Sequence, residues 1–210
     1  MWLSAMSPGP TFDRVYAALK EQLLSGRWAP GTHLEPASLG EDLVASITPV
    51  RDALHRLVGE RLVEAPRHDG FWVPSPTEGE LRDLYEWNGD LLAWTLRLRR
   101  RIWSMPHECS EAPTPPEAPM LFLEIARMAR YAELERAVAV CNDRLAAYRA
   151  AEAEVFGDVA GELASLHLCL LKADPARLRR EIATYHKRRQ RAVPALLAQA
   201  RRNAAGASLK

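Results

Sequence analysis

The chain has 210 residues, 48% of them apolar and 26% charged, a balance that supports a buried core and excludes a disordered acidic or basic tail. Its three cysteines, Cys109, Cys141 and Cys169, are an odd set without a paired motif, which excludes a disulfide framework, and no apolar run reaches the ~18 residues that span a bilayer. Net charge is only +1, and the residues up to Pro74 hold seven basic against nine acidic side chains, so bulk attraction to phosphate cannot argue for a nucleic-acid partner and only the placement of charge can.

Residues 12–25 repeat apolar positions at Phe12, Val15, Tyr16, Leu19 and Leu23, the spacing of a helix with one buried stripe. Gly26 ends it, and Ala29-Pro30-Gly31 predicts a turn, because Pro presets φ and Gly tolerates its positive values. A second helix is predicted over 36–43, with Pro36 in its first turn. A third is predicted over 48–58, with Ser46 or Thr48 as cap, Pro49 in the first turn, and Val50, Leu54 and Leu57 on one face. Two short helices joined tightly, the second opening on small polar residues, form the helix-turn-helix pattern. Arg61–Ala65 and Gly70–Val73 then read as two strands around turn material at 66–70, a β-hairpin wing.

Pro74-Ser75-Pro76 is a short stiff linker. Thr77 and Glu80 have the capping-box spacing, and Leu81, Leu84, Tyr85, Leu91, Leu92, Leu98 and Ile102 predict a long helix to about Ser104. Residues 105–119 are rich in proline and predict a loop. Further helices are expected at 120–130, 132–155, 158–171 and 175–202, with Asp174-Pro175 capping the last. The fold class is therefore mainly α: a winged helix-turn-helix over 1–74, made of three helices and a β-hairpin wing, followed by an all-α helical bundle over 75–210. Met1–Pro10 has neither a basic n-region nor an apolar stretch of secretory length, so the expected location is cytoplasmic.

The runs Ser25-Gly26, Pro30-Gly31, Leu39–Leu43, Ser46-Ile47-Thr48-Pro49-Val50-Arg51-Asp52-Ala53-Leu54 and Gly70-Phe71-Trp72-Val73 resemble the GntR family of transcription regulators. The later helices, from Leu84-Tyr85-Glu86 onward, are similar to the FadR/VanR-type effector domain, or FCD domain, that often follows such a head. The resemblance implies a sequence-specific DNA-binding regulator, a repressor, that pairs as a homodimer on a palindromic operator in double-stranded DNA. It also implies a bundle that dimerises and senses a small molecule.

Roles follow position by position. The helix that begins near Thr48 would enter the major groove N-terminus first, with Ser46 and Thr48 donating hydroxyls and Arg51 reaching a guanine edge or a phosphate. The competing role for Arg51 is an ion pair with Asp52 or Glu41. Arg67 and His68 would meet DNA from the wing tip. Ile47 stands where many relatives carry a base-reading arginine, and Arg61 replaces the usual glycine before the wing.

Relatives of this kind hold a metal on an aspartate and three histidines, but the matching positions here are Pro119, Phe122-Leu123 and Leu163 or Ala164, leaving His186 alone. No metal and no other cofactor is therefore expected, because a site needs three or four converging donors. His167 falls on another face, and His107 with Cys109 makes only an isolated pair. Asn88, Asn142, Arg149 and His186 are the polar candidates for an effector site, and the two asparagines suit a neutral hydrogen-bonding ligand. The basic run from Arg177 to Lys210 reads as a solvated face. An enzyme finds no support, since nucleophile elbow, phosphate loop and paired acid–base residues are all missing from the sequence. The alternative reading is a DNA-binding dimer that has lost metal-dependent sensing and answers to a protein partner or to no ligand.

Overall fold

The structure is a computed structural model that describes residues 9–67, 69–98 and 116–207. The chain divides into two compact units, Met1–Ser75 with Arg201–Lys210, and Pro76–Ala200. No helix among the described residues is long and apolar enough to cross a membrane.

The first unit is built on α1 (Pro10–Leu24), α2 (Pro36–Asp42) and α3 (Ile47–Gly59). Val15, Leu19 and Leu23 of α1 face Val50, Ala53, Leu54 and Leu57 of α3 in a core completed by Leu34, Leu39, Leu62, Val63 and Phe71. Burying each such side chain contributes roughly 1.5–3 kcal/mol before entropy is counted. All three helices end on the same motif. The residue after the C-cap takes a left-handed backbone, and the next amide reaches back to the first free carbonyl: Arg27 to Gln22, Ala45 to Gly40 and Leu62 to Leu57. Gly26 occupies the left-handed position after α1, but Val44 (φ 49°) and Arg61 (φ 59°) occupy it after α2 and α3. The turn at Arg61 therefore keeps its glycine-type geometry despite the substitution.

The wing differs from the expected hairpin. Its second strand, β2 (Phe71–Trp72), pairs antiparallel with β1 (His33–Leu34), a two-residue strand that shows no alternation long enough to read in sequence. The arm at 61–65 contributes a single bridge, Glu64 to Trp72. Its apolar residues Leu62 and Val63 are used in the core instead. Gly70 has a specific reason: at φ 79°, a Cβ there would lie 2.6 Å from the His33 ring.

Among the described residues the second unit is all-helical. It contains α4 (Glu78–Leu98), α5 (Ala118–Arg127), α6 (Ala132–Ala150), the one-turn α7 (Glu152–Val155), α8 (Val159–Leu171), α9 (Pro175–Arg191) and the start of α10 (Val193–Ala207). The capping box forms: the Thr77 amide and hydroxyl both donate to Glu80 Oε2 at 2.8 Å, and the Glu80 amide returns to Thr77 Oγ1 at 3.2 Å. Asp158 and Asp174 cap α8 and α9 through the amides of Gly161 and Arg177. Helix α4 packs on α9, α6 and α5 around Leu81, Tyr85, Leu92, Leu121, Phe122, Ile125 and Leu178.

Two expected long helices are each broken once. The 132–155 segment divides at Ala151, and the 175–202 segment divides at Ala192. Pro194 explains the second break, since its ring removes an amide donor and clashes with the carbonyl four residues back. The 105–119 loop and the end of the long helix beyond Leu98 fall largely outside the described residues; of that loop only Pro116–Pro119 is described, and Ala118 and Pro119 already belong to α5.

Candidate nucleic-acid interface and the polar cluster of the bundle

The α2–α3 turn is held tightly from both sides. Arg14 of α1 donates to the carbonyls of Leu43 (2.8 Å) and Val44 (3.2 Å), which closes the C-terminal end of α2. Gly40 lets α2 approach the turn, because a Cβ there would stand 2.8 Å from the Ala45 carbonyl oxygen. Helix α3 is fixed to α1 through Glu60, which accepts from Tyr16 (2.6 Å) and Lys20 (2.8 Å), while the Arg56 guanidinium lies 4.0 Å over the Tyr16 ring. The first turn of α3 is thus presented by a rigid frame.

That turn carries Ser46 as N-cap, then Ile47, Thr48 and Arg51, all exposed. Ser46 makes no side-chain capping bond, so the amides of the first turn are left without its oxygen, and Ser46 and Thr48 are both exposed. Arg51 makes no ion pair with Asp52, Glu41 or any other described residue, which leaves its fork of donors available. Arg67 is exposed in the wing turn, where the Asp69 amide bonds the Pro66 carbonyl and the Trp72 indole donates to the Asp69 carbonyl. His68 lies outside the described residues.

In the bundle the four polar candidates converge. Arg149 of α6 donates to Asn142 Oδ1 (2.9 Å) and to Asn88 Oδ1 (3.1 Å), and its guanidinium lies over the Phe122 ring. Asn142 in turn donates to the Pro119 carbonyl at 2.9 Å. His186 of α9 places Nε2 3.0 Å from Asn88 Oδ1 and Nδ1 2.8 Å from the Ile182 carbonyl. Gly89 permits this approach, since a Cβ there would lie 3.1 Å from the His186 ring.

His186 is 3% exposed. Burial, opposed by the Ile182 carbonyl and assisted by the positive charge of Arg149 and Arg189, pushes its pKa down to about 3. The ring is neutral at physiological pH and has one N–H for two acceptors, so one of its two contacts lacks a proton. Asn88 Nδ2 and Arg149 Nε are buried without partners among the described residues.

This constellation does not fit the metal that the resemblance implies. The Pro119 carbonyl is engaged by Asn142, Phe122 is an aromatic wall, and a guanidinium occupies the middle of the cluster, where its charge opposes a cation. Among the described residues no three His, Cys, Asp or Glu side chains converge. His107 and Cys109 lie outside them, and His167 is buried in α8.

A neighbouring ionic cluster is not evident from sequence. Arg189, 0% exposed, donates to Glu152 (2.8 Å), Glu162 (2.7 Å) and the Tyr185 carbonyl, and Glu152 accepts from the hydroxyls of Tyr85 and Tyr185. Burial, with the Glu152 charge beside it, raises the Tyr185 pKa to about 12. Part of the basic run read as a solvated face is therefore core. The available signal is periodicity: Leu178, Ile182, Tyr185 and Arg189 share the buried stripe of α9.

Residues 11–73 match the family described as bacterial regulatory proteins, gntR family. The HTH-type transcriptional repressor GlaR of Escherichia coli K12 is 31% identical over 83 residues, which are 40% of this chain and 38% of GlaR. The HTH-type transcriptional regulator McbR of the same strain is 28% identical over 176 residues, 80% of this chain and 76% of McbR. The chain thus spans well under half of GlaR and about three quarters of McbR. The solved structure of E. coli McbR/YncC superposes with a TM-score of 0.64 at 19% identity, covering 91% of this chain and 99% of that one. A GntR-type structure from Rhodococcus sp. RHA1 superposes with a TM-score of 0.70 at 16% identity, covering 89% and 99%. These two likenesses extend the shared fold through the helical unit. With its helix-turn-helix and wing, the region 11–73 carries the gntR-type domain of bacterial regulatory proteins, and it is similar to proteins named as transcriptional regulators.

Proposed function

We propose that the chain is a sequence-specific repressor that binds a palindromic operator as a symmetric homodimer, with α3 in the major groove and the wing on the adjacent backbone. The observation that carries this reading is the unpaired, outward Arg51 beside Ser46 and Thr48 on a first turn fixed by Arg14 and Glu60. Arg51 reaches a guanine edge or phosphate, the hydroxyls of Ser46 and Thr48 meet phosphates, and Arg67 with His68 serves the wing contact. An exposed stripe on α4, Trp87, Trp94 and Leu98 at helical spacing, supports dimerisation through the bundle, since surface apolar rows of this kind mark association faces. Selection of genomic fragments by the purified full chain, followed by footprinting, tests the reading: it predicts a protected pseudo-palindrome with half-sites one helical turn or a multiple apart.

For the bundle, the proposal is a small-molecule site at Asn88, Asn142, Arg149 and His186. The asparagine oxygens are spent on Arg149, and the unsatisfied groups are donors, Asn88 Nδ2 and Arg149 Nε. A ligand here would have to supply acceptors, which a neutral carbonyl or a carboxylate can both provide. The second reading, a dimer that responds to no ligand, is favoured by the closure of the network, with Asn88 itself fully buried. A thermal-shift screen of organic acids and neutral metabolites separates the two: a ligand at 100 times its Kd stabilises by ~2.7 kcal/mol. No shift with any acceptor-bearing compound would favour the second reading.

A further inference from the structure

Next to Ser46 and Arg51, the surface that would face the base pairs is apolar. Val44 is 86% exposed and Ile47 50% exposed, and with Ala37 and Ala45 they line a shallow concavity between α2 and the start of α3. Folding gains little from either side chain in these positions. Val44 is also a β-branched residue at φ 49°, a conformation that Gly or Asn would adopt at lower cost. The charged group on the rim is Glu41, which repels phosphate. The concavity is therefore suited to base edges and not to the DNA backbone.

Among the groups that base pairs present in the major groove, the apolar one is the C5-methyl of thymine; the others are hydrogen-bond donors and acceptors. We propose that Ile47 and Val44 form a methyl-reading contact that selects thymine at one position of each half-site, beside the base or phosphate engaged by Arg51. The inference rests on the DNA-binding reading above. It assigns specificity to two side chains that cannot donate or accept a hydrogen bond. Ile47 reads the methyl from the recognition helix, and Val44, held rigidly by Arg14 and the α2 C-terminal motif, closes the contact from the other side.

The test uses the full chain and duplexes carrying its selected operator, with each thymine of a half-site replaced in turn by deoxyuridine, which keeps pairing and removes only the methyl. One position should lose affinity about fourfold on replacement, the worth of one methyl-sized group withdrawn from water, while the other thymines change little. Ile47→Ala with Val44→Ala should abolish the thymine-over-deoxyuridine difference at that position; both residues are exposed, and a melting curve checks that the variant stays folded. Specific binding that is indifferent to deoxyuridine everywhere would overturn the proposal and leave the DNA-binding reading standing, as would a methyl preference that survives in the double variant. Failure to enrich any fragment would overturn both.

Discussion

Arg51 is the residue on which the DNA reading rests most directly. Its guanidinium is exposed and unpaired, so its replacement should not disturb the core. Arg51→Ala should weaken operator binding by about 1–3 kcal/mol, the loss of one bidentate contact, with an unchanged melting temperature. Unaltered affinity in a titration at fixed salt would mean that α3 is not the reading helix. Arg61 makes a contrasting prediction about stability alone. It holds a left-handed backbone at the end of α3, so Arg61→Gly should stabilise the head by about 0.5–1 kcal/mol, the relief of a Cβ clash partly offset by the greater chain entropy of glycine. Denaturant unfolding checks this, and a destabilised variant would show that the Arg61 side chain has a role its exposure conceals.

His186 gives a prediction in pH. Its pKa is about 3 in the folded chain against an ordinary 6.5, so the unfolded state binds the proton between those values. The stabilising contribution is complete above about pH 6.5 and is lost as pH falls toward 3. Compared with His186→Gln, the natural chain should lose up to ~1.4 kcal/mol more per pH unit across that window. Parallel pH profiles would show that the histidine is not held neutral by its burial.

At the scale of elements, the helices were legible wherever caps and periodicity agree. Thr77 with Glu80, Asp174 with Pro175, and the stripes of α1 and α3 all carry their boundaries in a few residues. The errors arise where a distant partner decides. β1 is two residues long and is held where the Val73 amide donates to the Thr32 carbonyl and the Gly31 amide donates to the Val73 carbonyl. The arm at 61–65 has strand-like residues, but the core takes Leu62 and Val63 and leaves one bridge. In the α9–α10 segment the expected single helix breaks at Ala192, where Pro194 suits the first turn of a new helix. The polar candidates Asn88, Asn142, Arg149 and His186 are far apart in sequence, and the structure brings them within hydrogen-bond reach. Glu152 and Arg189 were not foreseen, because a buried ion pair depends on tertiary packing and leaves only a place in the stripe. Arg189→Met should cost about 3–5 kcal/mol, mostly from leaving Glu152 buried without its cation. A change below 1 kcal/mol in chemical denaturation would place Glu152 in contact with water.

For the whole molecule, the chain combines a small head whose charge is unfavourable for general attraction to DNA with a helical unit that exposes Trp87, Trp94 and Leu98 along α4 among the described residues. Under the proposed dimer, specificity comes from a few placed side chains and affinity from joining two heads, since doubling the contacts multiplies binding without adding bulk charge. Trp94→Glu should shift the sedimentation of the full chain from dimer to monomer at micromolar concentration and weaken operator binding with it. A monomeric natural chain, or a dimeric variant, would remove the α4 stripe from the account.

The central claim is that the exposed start of α3 reads DNA sequence. The direct measurement is anisotropy titration of the full chain against its best genomic fragment and a scrambled duplex of equal length, over a series of salt concentrations. A preference of at least ~10³-fold for the selected fragment is expected, retained as salt rises and collapsing toward scrambled-duplex affinity in Arg51→Ala. Equal binding to both duplexes, vanishing together with salt and unaffected by Arg51→Ala, would contradict it.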